Sequence, residues 1–452
     1  MKKLLFLLTL TPTLLFAQHE KMIKRIYDHQ LTESPVYENL RFLCKEIGPR
    51  LSGSPQAAAA VEYTRQLMVK YGFDTVYLQP VMVPHWVRGK QEIVRVINSK
   101  TQGTFELNAT ALGNSVGTGA DGVLDEVVEV KSIEEVKELG EKLKGKIVFY
   151  NGEMDPTLVN TFAAYGSAVL QRAYGASEAG RFGAKAVIVR SMTNRRDDTP
   201  HTGSLVYKPM LAQIPAVAIS TNDADKLSRM LAQQRDLKIY IETHCEMKED
   251  VLSYNVIGEL KGTTNPDEYI VVGGHLDSWD VGEGAHDDGG GCMMSLEIGR
   301  TFKALGVLPK RTIRVVMFMN EENGLRGGKE YARVAAEKKE KHIAGLESDS
   351  GSFGPKGFSS LGTEEQRKKV QSWASYFRPY MVWDFDPIGS GADISPLEPQ
   401  GTFLLEMDPN PQKYFNYHHT QNDVFENVDK RELEMGAAAM TAMVYLLDRE
   451  GI

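Results

Sequence analysis

Three apolar runs in this chain end on residues that hold metals or move protons. "YIVVGGHLD" ends on His275, with Asp277 two residues on; "RTIRVVMFMNEE" ends on Glu321 and Glu322; "IAGLESD" ends on Asp349. Two further clusters stand in loops: "GAHDDGGG" carries Asp287 and Asp288, and "YHHTQND" carries His418 and His419. Imidazole and carboxylate together, with no cysteine among them, suit Zn²⁺, whereas Mg²⁺ and Ca²⁺ prefer oxygen alone. Five or six candidate ligands exceed what one tetrahedral zinc uses, so the inventory predicts two ions with a carboxylate between them. Singly, each residue has an ordinary explanation: a hydrogen-bonded core histidine, a solvated turn, a cap, a surface pair. Their joint occurrence at strand ends does not. Adjacent side chains on a strand point to opposite faces, so Glu321 and Glu322 are expected to divide two tasks, and the spacing leaves open which takes which.

The elements that must position these residues read as strand and helix in alternation after Ser253. Helices are expected at about 291–305, 325–338 and 430–448, which implies an α/β fold with a mostly parallel sheet flanked by helices. In such a sheet the carboxyl ends of the strands open onto a common crevice, where distant residues meet. Upstream, 21–71 is helical with a loop at "IGPRLSGSP", and 73–96 is strand-rich. Residues 103–249 alternate short apolar strands with glycine-rich turns and read as an inserted β-rich module with few residues able to do chemistry. The organisation is therefore an N-terminal part of the catalytic domain (18–102), the insert (103–249) and the rest of the catalytic domain (250–452).

The 452 residues are too many for one ordinary domain, and 42% hydrophobic content is ample for a substantial core. The first residues, "MKKLLFLLTLTPTLLFAQHE", have Lys2 and Lys3 before an apolar stretch and Ala17. This predicts a signal peptide over 1–17 and a protein exported to the periplasm or beyond the cell. The formal charge of −8 argues against non-specific nucleic-acid binding. Cys44, Cys245 and Cys292 are odd in number and far apart, which argues against a disulfide framework. There is no HExxH, GxSxG or Walker A pattern, so single-zinc helix proteases, serine hydrolases and P-loop enzymes lose support.

"GGHLDSWDVGEGAHDDGGG", "MNEENGLRGG", "ESDSG" and "YHHTQND", in that order, resemble the motifs of the zinc exopeptidases of peptidase family M28, most closely the carboxypeptidase Q branch. "IGPRLSGSP" resembles that branch too, and the insert resembles a protease-associated domain. The resemblance implies two Zn²⁺ per chain, with Asp287 bridging, His275, Glu322, Asp349 and His419 as the other ligands, and Glu321 as general base toward a metal-bridging water. It implies that Asp277 orients His275, that Asp288 is joined to Asp287 by a strained peptide bond, and that the protein is a homodimer acting on short peptides, above all dipeptides. His286, just before the bridging Asp, is an unneeded imidazole expected to point away. In "GSGADISPL", where many members have Asp-His, Ile394 follows Asp393, leaving Ser390 and Asp393 as candidates for substrate binding. An aminopeptidase on longer peptides is the alternative within this class. Outside it stand a non-catalytic receptor-like protein and a mononuclear acyl transferase resembling glutaminyl cyclases.

Overall fold

The computed structural model describes the backbone of residues 7–452 and the side chains of residues 16–452. The charged start of the expected signal peptide lies outside the described residues. Its later part opens a helix, Leu7–Glu33, whose inward face from His19 onward, with Ile23, Ile26 and Tyr27, packs on the C-terminal helix Lys430–Glu450. No helix among the described residues is long and apolar enough to cross a membrane.

Seven strands form the main sheet, in the spatial order Thr75–Val87, Glu246–Leu260, Arg311–Phe318, Asn265–His275, Lys341–Glu347, Phe403–Pro409 and Pro355–Leu361. The four from Arg311–Phe318 to Phe403–Pro409 are mutually parallel, and each outer strand pairs antiparallel with its inner neighbour. Period-two alternation explains why the central strands are apolar throughout. Ile270 and Val272 join the core beneath Gly290–Ala304 and Lys430–Glu450, while Val271 joins the core beneath Arg326–Lys338 on the other face. From Asn265–His275 the chain crosses first to the strand on one side and then to the strand on the other. The strand order therefore reverses beside His275, where an open α/β sheet forms its ligand crevice. Gly274 is required there: a Cβ at this position would lie 2.1 Å from Asp288 Oδ2.

The expected helices are found at Gly290–Ala304, Arg326–Lys338 and Lys430–Glu450. The edge strand Pro355–Leu361 was not expected, because "PKGFSSL" carries Pro, Gly and two Ser in place of β-branched residues. The insert also differs in character from its β-rich reading. Its strands fall in one eight-stranded sheet that takes in Ile93–Ser99, four of them are parallel, and the helices Ile133–Leu139, Thr161–Arg181 and Thr221–Gln233 accompany them. The sheet strands are only three to eight residues long, and of the accompanying helices the sequence pattern shows only one helix-like piece, "GASEAGRFGA" at 175–184, which overlaps the end of Thr161–Arg181.

Far from the crevice, His342 is buried and shares a 2.6 Å hydrogen bond with the Tyr331 hydroxyl. Burial, assisted by the Arg314 guanidinium, lowers its pKa to about 4. In the unfolded chain a histidine titrates near roughly 6.5, so between these values only the unfolded state takes up the proton. His342 thus contributes stability that is complete above about pH 6.5 and is lost as the pH falls toward 4, on the order of 3 kcal/mol in full. Thermal unfolding followed by circular dichroism should show the midpoint falling over this range, and His342→Gln should flatten part of the fall. Identical slopes in the two proteins would exclude His342 as the source.

Candidate metal centre

His275 is the last residue of its strand, and the next chain segment folds back over it. Arg50, fully buried, fixes that segment: Nε donates to Leu276 O at 2.5 Å, Nη1 to Glu283 O at 2.6 Å and Nη2 to Gly284 O at 2.9 Å. The segment then makes an irregular turn, Ala285–Gly289, in which the Asp287–Asp288 peptide bond is cis. Asp423 clamps this turn, its Oδ1 accepting from His286 N at 2.7 Å and its Oδ2 from Asp287 N at 3.1 Å. Asp288 faces inward, accepting from the backbone N–H of His275 and of Gly291.

Asp287 is thereby presented to two groups at once. Its Oδ1 lies 3.0 Å from His275 Nε2, which is also 3.3 Å from Asp349 Oδ1. Its Oδ2 lies 3.4 Å from His419 Nε2, which is also 3.2 Å from Glu322 Oε2. The five residues expected as ligands thus converge as two imidazole–carboxylate pairs on either side of one carboxylate. His418 stacks on His419 at 3.5 Å between ring centroids, but its Nε2 is 3.9 Å from Asp287 Oδ2, and the aromatic rings of Tyr165, Tyr414 and Phe415 enclose it. His419 is therefore the better placed of the pair, with a left-handed backbone (φ 61°) that turns it toward the acids.

Asp287 Oδ2 and Asp349 Oδ1 are buried with no hydrogen-bond partner. Buried acceptors left unmatched cost about 1–3 kcal/mol each, and more when charged. A cation bound beside each would satisfy it, so the donor set fits a metal of the zinc type. The two imidazoles differ: burial, together with neighbouring His418 and Arg172, holds His419 well below its usual pKa, leaving the neutral ring that a metal needs, whereas at His275 burial is outweighed by the carboxylates of Asp349 and Asp287, which hold it well above. Burial also pushes the carboxyl of Glu322 far up, and with Asp349 and Asp287 nearby that of Glu321 to about 8. Carboxylates crowded in this way need positive charge beside them to ionise at neutral pH.

Glu321 lines the same cavity but makes none of the imidazole contacts that its neighbour makes. Asp277 takes a different role from the one expected. It is the backbone carbonyl of Asp277, at 2.9 Å, that meets His275 Nδ1, while its carboxylate oxygen is 3.8 Å away. That carboxylate instead accepts from the N–H groups of Asn320 and Glu321, at 2.6 and 3.1 Å, and so positions the acid pair. His286 points away as expected, its Nδ1 accepting from Ser352 N and its Nε2 meeting Asn427 O, with Phe353 stacked on the ring. Ser390 and Asp393 do not line the cavity. Asp393 is fully enclosed, its loop held by Glu347, which accepts from Asp393 N and Ile394 N.

The cavity beside the acids has a volume of about 370 Å³, within the roughly 300–1,000 Å³ of small-ligand sites. Part of its wall comes from the insert: Phe162, Tyr165 and Arg172 on the helix Thr161–Arg181, and Ser204. Sequence reasoning missed these residues. The signal was available, since positions 162, 165 and 172 recur at helical spacing and share one face.

Peptidase family M28 matches residues 255–444. Bovine carboxypeptidase Q (Bos taurus) is 33% identical over 411 residues, covering 91% of this chain and 84% of that protein. Among solved structures, a peptidase M28 precursor from Shewanella amazonensis superposes with a TM-score of 0.91 at 31% identity, covering 96% of this chain and 98% of that one. An aminopeptidase from an Aneurinibacillus strain reaches a TM-score of 0.63 at 25% identity, over 93% and 95% of the two chains. With a carboxypeptidase matched over nine-tenths of this chain and the acids and imidazoles of the crevice in place, the chain belongs to peptidase family M28 and is a metallopeptidase.

Proposed function

We propose that the protein is an exported dinuclear zinc exopeptidase that hydrolyses short peptides, dipeptides first among them. The observation that carries this reading is the position of Asp287, whose two oxygens face separate imidazole–carboxylate pairs. His275 and Asp349 would hold one ion, His419 and Glu322 the other, and Asp287 both. Zinc in such a pair supplies Lewis acidity, lowering the pKa of a water and polarising a carbonyl.

The chain's own residues do the rest. Glu321 accepts a proton from the attacking water and delivers it to the departing amine, as an acid not spent on a ligand can. Asp277 holds the Glu321 backbone at the rim of the cavity. Phe162, Tyr414 and Phe415 form an aromatic wall that would take an apolar side chain and exclude water. The segment carrying the second sheet, proposed as a protease-associated domain, contributes Phe162, Tyr165, Arg172 and Ser204 to the cavity wall. The homodimer implied by resemblance belongs to this reading, supported by a groove of about 700 Å³ where Met381 and Trp383 are 75% and 58% exposed.

Metal analysis of the purified protein and a panel of dipeptides, longer peptides and C-terminally amidated dipeptides test the proposal. Two zinc ions per chain and preference for free dipeptides are expected. One ion would favour the acyl transferase, absence of turnover a binding protein, and equal cleavage of long and amidated peptides an aminopeptidase.

A further inference from the structure

Arg172 is the one lysine or arginine among the residues lining the cavity. It is 7% exposed, and among the described residues it has no carboxylate within salt-bridge distance. Its Nε is buried without a hydrogen-bond partner. The guanidinium lies over the Tyr165 ring, 5.4 Å from its centroid, with Nη1 3.4 Å from His419 Nδ1. A buried cation without a counter-charge is costly, by several kcal/mol in general, and Arg50, which also lacks a carboxylate partner, instead spends its guanidinium on three backbone carbonyls. Arg314 pairs with Glu259 and Glu340, and Arg190 with Asp225. The surroundings of Arg172 are also built to admit it. Gly203 has φ 128°, and a Cβ there would lie 2.5 Å from Arg172 Nη1 and 2.6 Å from His419 Nδ1.

The missing counter-charge has to come from what enters the cavity. The acids of the wall, Asp287, Glu322 and Asp349, already face imidazoles, and Glu321 stands with them. Resting on the peptidase reading above, we propose that Arg172 receives the free α-carboxylate of a short peptide and thereby restricts the enzyme to substrates that end inside the cavity. A planar guanidinium matches the two oxygens of a carboxylate, and an amide or a continuing chain offers it no charge. The insert is then a substrate-selecting part of the enzyme, and Arg172 its specificity-determining residue.

The test compares leucyl-leucine, its C-terminal amide and leucyl-glutamate amide on the zinc-loaded wild type, Arg172→Met and Arg172→Lys. The ratio of kcat/KM for acid over amide is the readout, because the fraction of correctly folded enzyme cancels from it. Wild type should favour the acid by about 100-fold, the scale of a buried charged contact. Arg172→Met should bring the ratio near one, and Arg172→Lys should fall between; if the methionine variant fails to fold, the lysine ratio decides. An unchanged ratio, or acid and amide falling together, would overturn the proposal, since a residue that only steadies His419 affects both alike. Leucyl-glutamate amide cleaved as well as leucyl-leucine would place the recognised carboxylate on a side chain and overturn it too. Calorimetric binding of acid and amide to Glu321→Gln, with and without Arg172→Met, reads the same ratio without turnover. If wild type cleaves none of the peptides, the peptidase reading fails, and the binding ratio still decides whether Arg172 selects the carboxylate.

Discussion

Glu321→Gln should lower kcat by about 10³-fold, the middle of the range for a lost general base, while zinc content measured by elemental analysis stays as in wild type. The substitution keeps the size of the side chain and removes its ability to take a proton. It should leave the local backbone in place, because Asp277 Oδ1 accepts from Asn320 N and Glu321 N whatever the side chain is. Glu322, which meets His419 Nε2 and accepts from Trp279 N, is likewise untouched. Glu322→Gln should show the opposite pattern, losing metal together with activity. Zinc lost from Glu321→Gln and kept by Glu322→Gln would mean that the two acids hold each other's roles.

The sequence carried the site further than it carried the cavity around it, and the reason is topological. Ligands at the carboxyl ends of parallel strands are brought together by a rule of the fold, so His275, Asp349 and the Glu321–Glu322 pair were legible as candidates from three apolar runs, while the choice of Glu322 as the ligand of that pair came only from the family resemblance. Asp287 was legible as a candidate from its glycine-flanked pair, but the turn that aims it depends on Arg50 and Asp423, which approach from opposite ends of the chain. Arg172 was illegible for a different reason. In "YGSAVLQRAYG" it looks like an arginine on an exposed helix, and only the docking of the insert against the loop of His418 and His419 buries it. Asp277 shows the limit of reasoning from residue type: the carboxylate was assigned to the imidazole, and the backbone of the same residue takes that contact. Asp393 shows the converse, an acid near the expected position in sequence that the fold encloses behind Glu347.

Asp287→Ala should deplete both ions, which distinguishes a bridging residue from an ordinary ligand. Without that carboxylate one site keeps His275 and Asp349 and the other His419 and Glu322. Two protein ligands fall short of the three that catalytic zinc sites retain. The purified variant should therefore hold well under one zinc per chain after dialysis and show no measurable turnover, a larger effect than losing the base. Asp349→Ala removes a ligand from one side only and should keep about one ion, as His419, Glu322 and Asp287 remain together. Circular dichroism should show both variants folded, since the turn carrying Asp287 is held through its backbone by Asp423 and Arg50. If Asp287→Ala instead keeps one firmly bound ion while Asp349→Ala loses that same ion, Asp287 serves a single site, and the paired geometry of its two oxygens does not reflect two metals.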